Sequence, residues 1–149
     1  ESIYYNKMEV TNLPEVDGMS SLTLKQFQDQ VSDLLLRHRS LLDVLSKFQQ
    51  SGAAANRSVV KSITECGCIQ VHAAKQEYHP EMTLDEAKDV LGTHVSGHLC
   101  EQCIEVVSSE LGRNLFYMSA LSNILDINLE QVVENESKKC TTLGLFNMS

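Results

Sequence analysis

The chain has 149 residues, 42% of them hydrophobic, a formal charge of -8 and a pI near 5.0. That length suits one domain able to bury a core without metal or disulfide staples. Seven glycines, two prolines and no tryptophan leave few of the breakers an all-β sandwich needs, and the negative field opposes bulk nucleic-acid binding.

Residues 1–21 carry no sustained period and are read as a poorly structured N-terminal lead, followed by a single helical domain over 22–149. Leu24, Phe27, Val31, Leu34 and Leu35 recur at helical spacing, so a first helix is expected from Leu22 to about Arg37. Ser40 can cap a second, shorter helix bearing Leu41, Leu42, Leu45 and Phe48, which is expected to stop at Ser51-Gly52. A third is expected from Ala53 to about Tyr78, ended by His79-Pro80. Thr83 and Glu86 form a capping box that starts a short fourth helix reaching about Leu91.

The clearest periodicity follows. Cys100, Ile104, Val107, Leu111, Leu115, Met118, Leu121 and Leu125 step by three or four and predict one long core helix. Asn128 and Gln131 cap a last helix from about Leu129 to Lys139. The pattern as a whole predicts an all-α fold, a bundle of about five helices.

No stretch approaches the roughly 18 to 20 apolar residues of a membrane span, and the first residues lack the layout of a signal peptide, so a cytoplasmic location is expected. In a reducing compartment an odd count of five cysteines reads as thiols or metal ligands. Four of them fall in two close pairs, Cys66-Gly-Cys68 and Cys100-Glu-Gln-Cys103, which suits a soft tetrahedral ion such as zinc. Residues two apart in a continuous helix diverge by about 200°, so Cys66 and Cys68 both reach one ion only if Gly67 breaks the helix. In an unbroken helix Cys68 and His72 share a face, and the set becomes Cys68, His72, Cys100 and Cys103. Plain core thiols and a redox-active C-x-x-C pair are the remaining readings.

Carboxylates offer a second constellation. Glu65 lies beside Cys68 and His72, while Glu101, Glu105 and Glu110 sit on the long helix. Facing helices that project carboxylates inward hold hard divalent cations, although any single glutamate here also fits a solvated face.

The segment from Glu110 to Glu134, ELGRNLFYMSALSNILDINLEQVVE, resembles the third and fourth helices of MazG-like all-α nucleoside triphosphate pyrophosphohydrolases, whose pattern there reads E-L-x-D-V-L, then L-A-N, then I-D-L. Asn56 to Gln70, with Thr64-Glu65-Cys66-Gly67-Cys68, is similar to the family's E-x-G-E helix, and Leu22 to Arg37 to its opening helix. The resemblance implies magnesium held between an E-x-x-E and an E-x-x-D motif, cleavage of a nucleoside triphosphate to monophosphate and pyrophosphate, and assembly into a homo-oligomer. Glu65 and Glu110 match the first member of each motif and would be catalytic, with Glu105 as a further ligand and Arg113 or Lys138 contacting phosphate. The second members are Cys68 and Arg113 here, so two of four anionic ligands are absent. Two functions therefore stand side by side: a MazG-like hydrolase with altered ligands, and a non-catalytic binding or regulatory module with a cysteine-rich zinc site.

Overall fold

The computed structural model describes residues 22–35 and 40–143. The lead segment, the last turn predicted for the first helix and the residues after 143 lie outside them. Among the described residues there are five α-helices and one two-stranded sheet, so the fold is mostly helical. Helix α1 spans Leu24–Leu34, opened by a capping box in which the Gln26 amide donates to Thr23 Oγ1 at 3.1 Å and the Thr23 amide to Gln26 Oε1 at 2.8 Å.

Helix α2 spans Leu41–Lys61 and runs through Ser51-Gly52 without a stop. A mid-helix glycine costs about 1 kcal/mol relative to alanine, less than packing returns here. Asn114, on a helix farther along the chain, donates to Ser51 Oγ at 3.1 Å and approaches the Phe48 carbonyl at 3.5 Å, pinning that stretch of α2. The helix predicted to continue to Tyr78 ends much earlier. After Lys61 the chain widens into a single π turn, Ser62–Cys66, and Gly67 then takes a left-handed conformation with φ +74°. Its amide donates to the Ser62 carbonyl at 2.9 Å, which closes the turn.

Strand β1, Ile69–Val71, follows at once and pairs antiparallel with β2, Val95–Gly97, in the register Ile69 with Gly97 and Val71 with Val95. Between them lies α3, Leu84–Val90, with the predicted Thr83–Glu86 capping box in place. Helix α4 spans Glu101–Ile124 and α5 spans Leu129–Leu143, where Asn128 Oδ1 accepts from the amides of Glu130 and Gln131.

Helices α2 and α4 run antiparallel, since Cys66 meets Cys100 at one end, Ser51 meets Asn114 midway, and Val44 packs with Ala120 at the other. Val31, Val44 and Ala120 form the buried cluster, flanked by Phe27, Leu35, Phe116, Leu121 and Ile124. The stripe predicted as the core of α4 is only partly inside. Val107 is buried, but Ile104, Leu111, Leu115 and Leu125 are about half exposed, because α4 meets its neighbours largely through small residues such as Ser119, Ala120 and Ser122.

Candidate metal centre

Three elements bring four cysteines to one point. The π turn delivers Cys66, the reversal at Gly67 delivers Cys68, and the first turn of α4 delivers Cys100 and Cys103. Their four Sγ atoms all lie within 4.8 Å of one another, and Cys66 Sγ is 3.8 Å from Cys100 Sγ. The divergence that a continuous helix imposes on residues two apart is removed by the left-handed Gly67, so the C-x-C pair converges.

The hairpin sets the distance between the two pairs. Gly97 sits at φ +83° with Cys68 beside it, and a Cβ there would lie 2.6 Å from the Cys68 carbonyl oxygen. Only glycine lets the strand leading to Cys100 pass so close to the Cys68 backbone. Cys68 Sγ lies 3.7 Å from the Ser62 carbonyl, which ties it back to the π turn.

Electrostatics favour anionic sulfur on α4. Cys100 is the N-cap residue of that helix. Hydrogen bonds from the Cys103 backbone and side chain lower its thiol to about 7, with smaller help from Cys66 and Cys68. Cys103 pays the converse: its hydrogen bond to Cys100, then desolvation, push it up to about 12. Within the metal-free cluster one thiolate is thus stabilised by protonated neighbours, and a cation is needed before the others ionise together.

None of the four thiols is buried, Cys66 being exposed and the others intermediate. A small-hydrophobe role in the core does not fit that placement. Four close sulfurs with no other ligand among the described residues can hold a metal such as zinc, and the set is closed, of the type that supports structure.

The other sequence candidates are placed as follows. His72 lies beyond the helix break, where its amide extends the hairpin by donating to the His94 carbonyl at 2.8 Å and its Nε2 lies 3.3 Å from Gln70 Oε1. It is outside the sulfur cluster, because the unbroken helix that its ligand set required is absent. Glu65 and Glu110 line one open groove of about 610 Å³, beside Cys66 and Cys103, together with Arg57 and Lys61. Each carboxylate faces a cation: Glu65 lies 3.9 Å from Lys61 Nζ, and Glu110 lies 3.6 Å from the Arg113 guanidinium. Glu105 is exposed outside the groove lining, and Lys138 is exposed on α5. The reversal at Gly67 is the element that sequence periodicity missed, and the C-G-C spacing itself was its signal.

No helix among the described residues is long and apolar enough to cross a membrane. No protein-family model, curated protein or solved structure matches the chain.

Proposed function

We propose that the chain is a zinc-holding helical module without catalytic activity of its own, with Cys66, Cys68, Cys100 and Cys103 as the ligands. The observation that carries the reading is a length. A tetrahedron with arms of about 2.3 Å has edges of roughly 3.8 Å, and Cys66 Sγ stands 3.8 Å from Cys100 Sγ, with all four sulfurs within 4.8 Å of one another. Thiolate ligands select a soft or borderline ion, and oxygen-seeking magnesium is disfavoured there.

In this role the ion joins the end of α2 to the start of α4 through the hairpin, and the N-terminal end of α4 offsets the negative charge that four thiolates bring. The test is elemental analysis and zinc titration of the tag-free protein. One zinc per chain, lost when all four cysteines are changed to serine, is expected; absence of stoichiometric zinc from reduced protein overturns the reading.

A hydrolase related to the MazG-like enzymes is the second reading, favoured by one fact: Glu65 and Glu110 share the groove. Against it, Arg57, Lys61 and Arg113 balance those two carboxylates, and a two-metal site must concentrate negative charge to hold its ions. Magnesium-dependent pyrophosphate release across a nucleoside triphosphate panel, abolished by Glu65→Gln, decides for the hydrolase. No turnover decides against it.

A further inference from the structure

The sulfur cluster is open to solvent on one side. Cys66 and Cys103 line the groove of about 610 Å³, and of the four cysteines Cys66 is the exposed one, the others being intermediate. With a metal bound all four sulfurs are thiolates, so access decides which of them a small oxidant reaches, and access favours Cys66. Its sulfur stands 3.8 Å from Cys100 Sγ. A disulfide is about 2.05 Å long, so the two side chains need share a shift of only roughly 1.8 Å. Cys66 also ends the π turn, next to a Gly67 that has nothing within 4 Å of where a Cβ would stand, which leaves room for that shift. Cys68 is a poorer partner: a bond spanning one residue strains the disulfide dihedral of about 90°, and Cys68 Sγ is already tied to the Ser62 carbonyl at 3.7 Å.

We propose that Cys66 is a site of oxidation by hydroperoxides and that it goes on to close a disulfide with Cys100, expelling the metal ion. In the first step the Cys66 thiolate attacks the terminal peroxide oxygen. The O–O bond breaks, hydroxide or alkoxide leaves and takes a proton from water, and Cys66 becomes a sulfenic acid. In the second step the Cys100 sulfur attacks Cys66 Sγ, the S–O bond breaks, and the departing hydroxide is protonated to water. Two electrons pass from the sulfur pair to the peroxide.

Two of the four ligands are then bonded to each other, and Cys68 with Cys103 cannot complete a tetrahedral site. The new bond spans 34 positions, from the π turn after α2 to the N-cap of α4. It therefore replaces the ion as the tie across the hairpin, and the frame stays closed while the metal leaves. Expulsion rests on the zinc-holding role proposed above, whereas the disulfide depends only on where the sulfurs stand.

The test treats the reduced chain, metal-free and zinc-loaded, with a small excess of hydrogen peroxide. Remaining thiols are blocked with iodoacetamide, linkages are mapped by peptide mass analysis, and freed zinc is followed with a chromogenic chelator. A Cys66–Cys100 linkage is expected in both samples, with about one zinc released per disulfide and recaptured after reduction with dithiothreitol. Cys140→Ser, which removes an exposed thiol on α5, is expected to change neither result. Any other linkage, four thiols still free after treatment, or zinc retained by the disulfide-bonded chain overturns the proposal. Reduced protein that never takes up zinc overturns the zinc-holding role and the expulsion with it, and the map of the metal-free sample then decides the oxidation site by itself.

Discussion

At the far end of α4 a neutral amide is buried with both its nitrogen and its oxygen hydrogen-bonded. Gln28 Nε2 donates to the Ile127 carbonyl at 2.7 Å, its Oε1 accepts from the Leu129 amide at 3.0 Å, and Asn123 reaches the Gln28 carbonyl at 2.9 Å. At the near end four thiols face one another, the Cys66 and Cys100 sulfurs 3.8 Å apart, and Cys68 Sγ lies 3.7 Å from the Ser62 carbonyl. The Gln28 end fastens α1 to the α4–α5 turn with the protein's own donors and acceptors. The cysteine end brings together a π turn, a hairpin of three residues per strand and a helix start, and such a hairpin is marginal by itself. One end is tied by the protein's own donors and acceptors; at the other, four close sulfurs could hold a metal ion.

Removing the metal should expose that difference most strongly. Chelation of the zinc-loaded protein is expected to cost several kcal/mol, lowering the melting temperature by roughly 10 °C at the 2–4 °C per kcal/mol typical of larger domains. Hydrogen exchange should accelerate over residues 66–103, while amides around Val31 and Ala120 stay protected; uniform loss of protection would erase the distinction between the ends.

The reverse experiment is Gln28→Ala, which strips partners from the Ile127 carbonyl and the buried Leu129 amide. A loss of about 2–4 kcal/mol is expected, read by urea denaturation, with zinc stoichiometry unchanged. A variant that also drops its zinc would show the ends to be coupled.

Two glycines grade the cysteine end more finely. Gly97→Ala places a Cβ against the Cys68 carbonyl at positive φ, whereas Gly67→Ala meets the same kind of backbone strain in open space. The first is expected to weaken zinc binding by at least tenfold, equivalent to about 1.4 kcal/mol or more, and the second by less. Competition with a chromogenic chelator measures both.

The smallest effect is one of reactivity. Cys100 is depressed to about 7 from an ordinary value of 9.0, so the stability it contributes is fully present above pH 9 and is lost as pH falls through about 7. Cys103, raised to about 12, opposes folding once pH climbs past 9. In reduced, metal-free protein, iodoacetamide should label Cys100 with a midpoint near pH 7 and leave Cys103 unlabelled at neutral pH, as peptide mass analysis would read. Equal labelling of the two would contradict the hydrogen-bonded arrangement.

Local signals in the sequence carried much of this fold. The Thr83–Glu86 box and the Asn128 cap are short-range chemistry, complete within four residues, and both stand where expected. The long helix was legible because 24 residues hold one phase. Its core was less so, since periodicity reports which residues share a face and not whether a neighbour covers it; Leu111 and Leu115 keep the phase yet stay half exposed. Gly52 looked like a stop because its propensity is local, while the Asn114 contacts that hold α2 together there come from 63 and 66 residues away. Three-residue strands are too short to announce themselves by alternation, so the hairpin was hidden. The two cysteine pairs were visible, but choosing Cys66 over His72 required the φ of Gly67, which no spacing rule specifies.

The hairpin has a consequence for the chain it encloses. Once β1 and β2 are paired and their flanking cysteines share an ion, everything from residue 72 to residue 94 hangs outside the ligand set, entered and left through the adjacent ends at His72 and His94. Lengthening such a closed loop costs only about 0.6 kcal/mol per doubling. On that ground, residues inserted into the stretch containing α3 should cost the cysteine frame beneath it little.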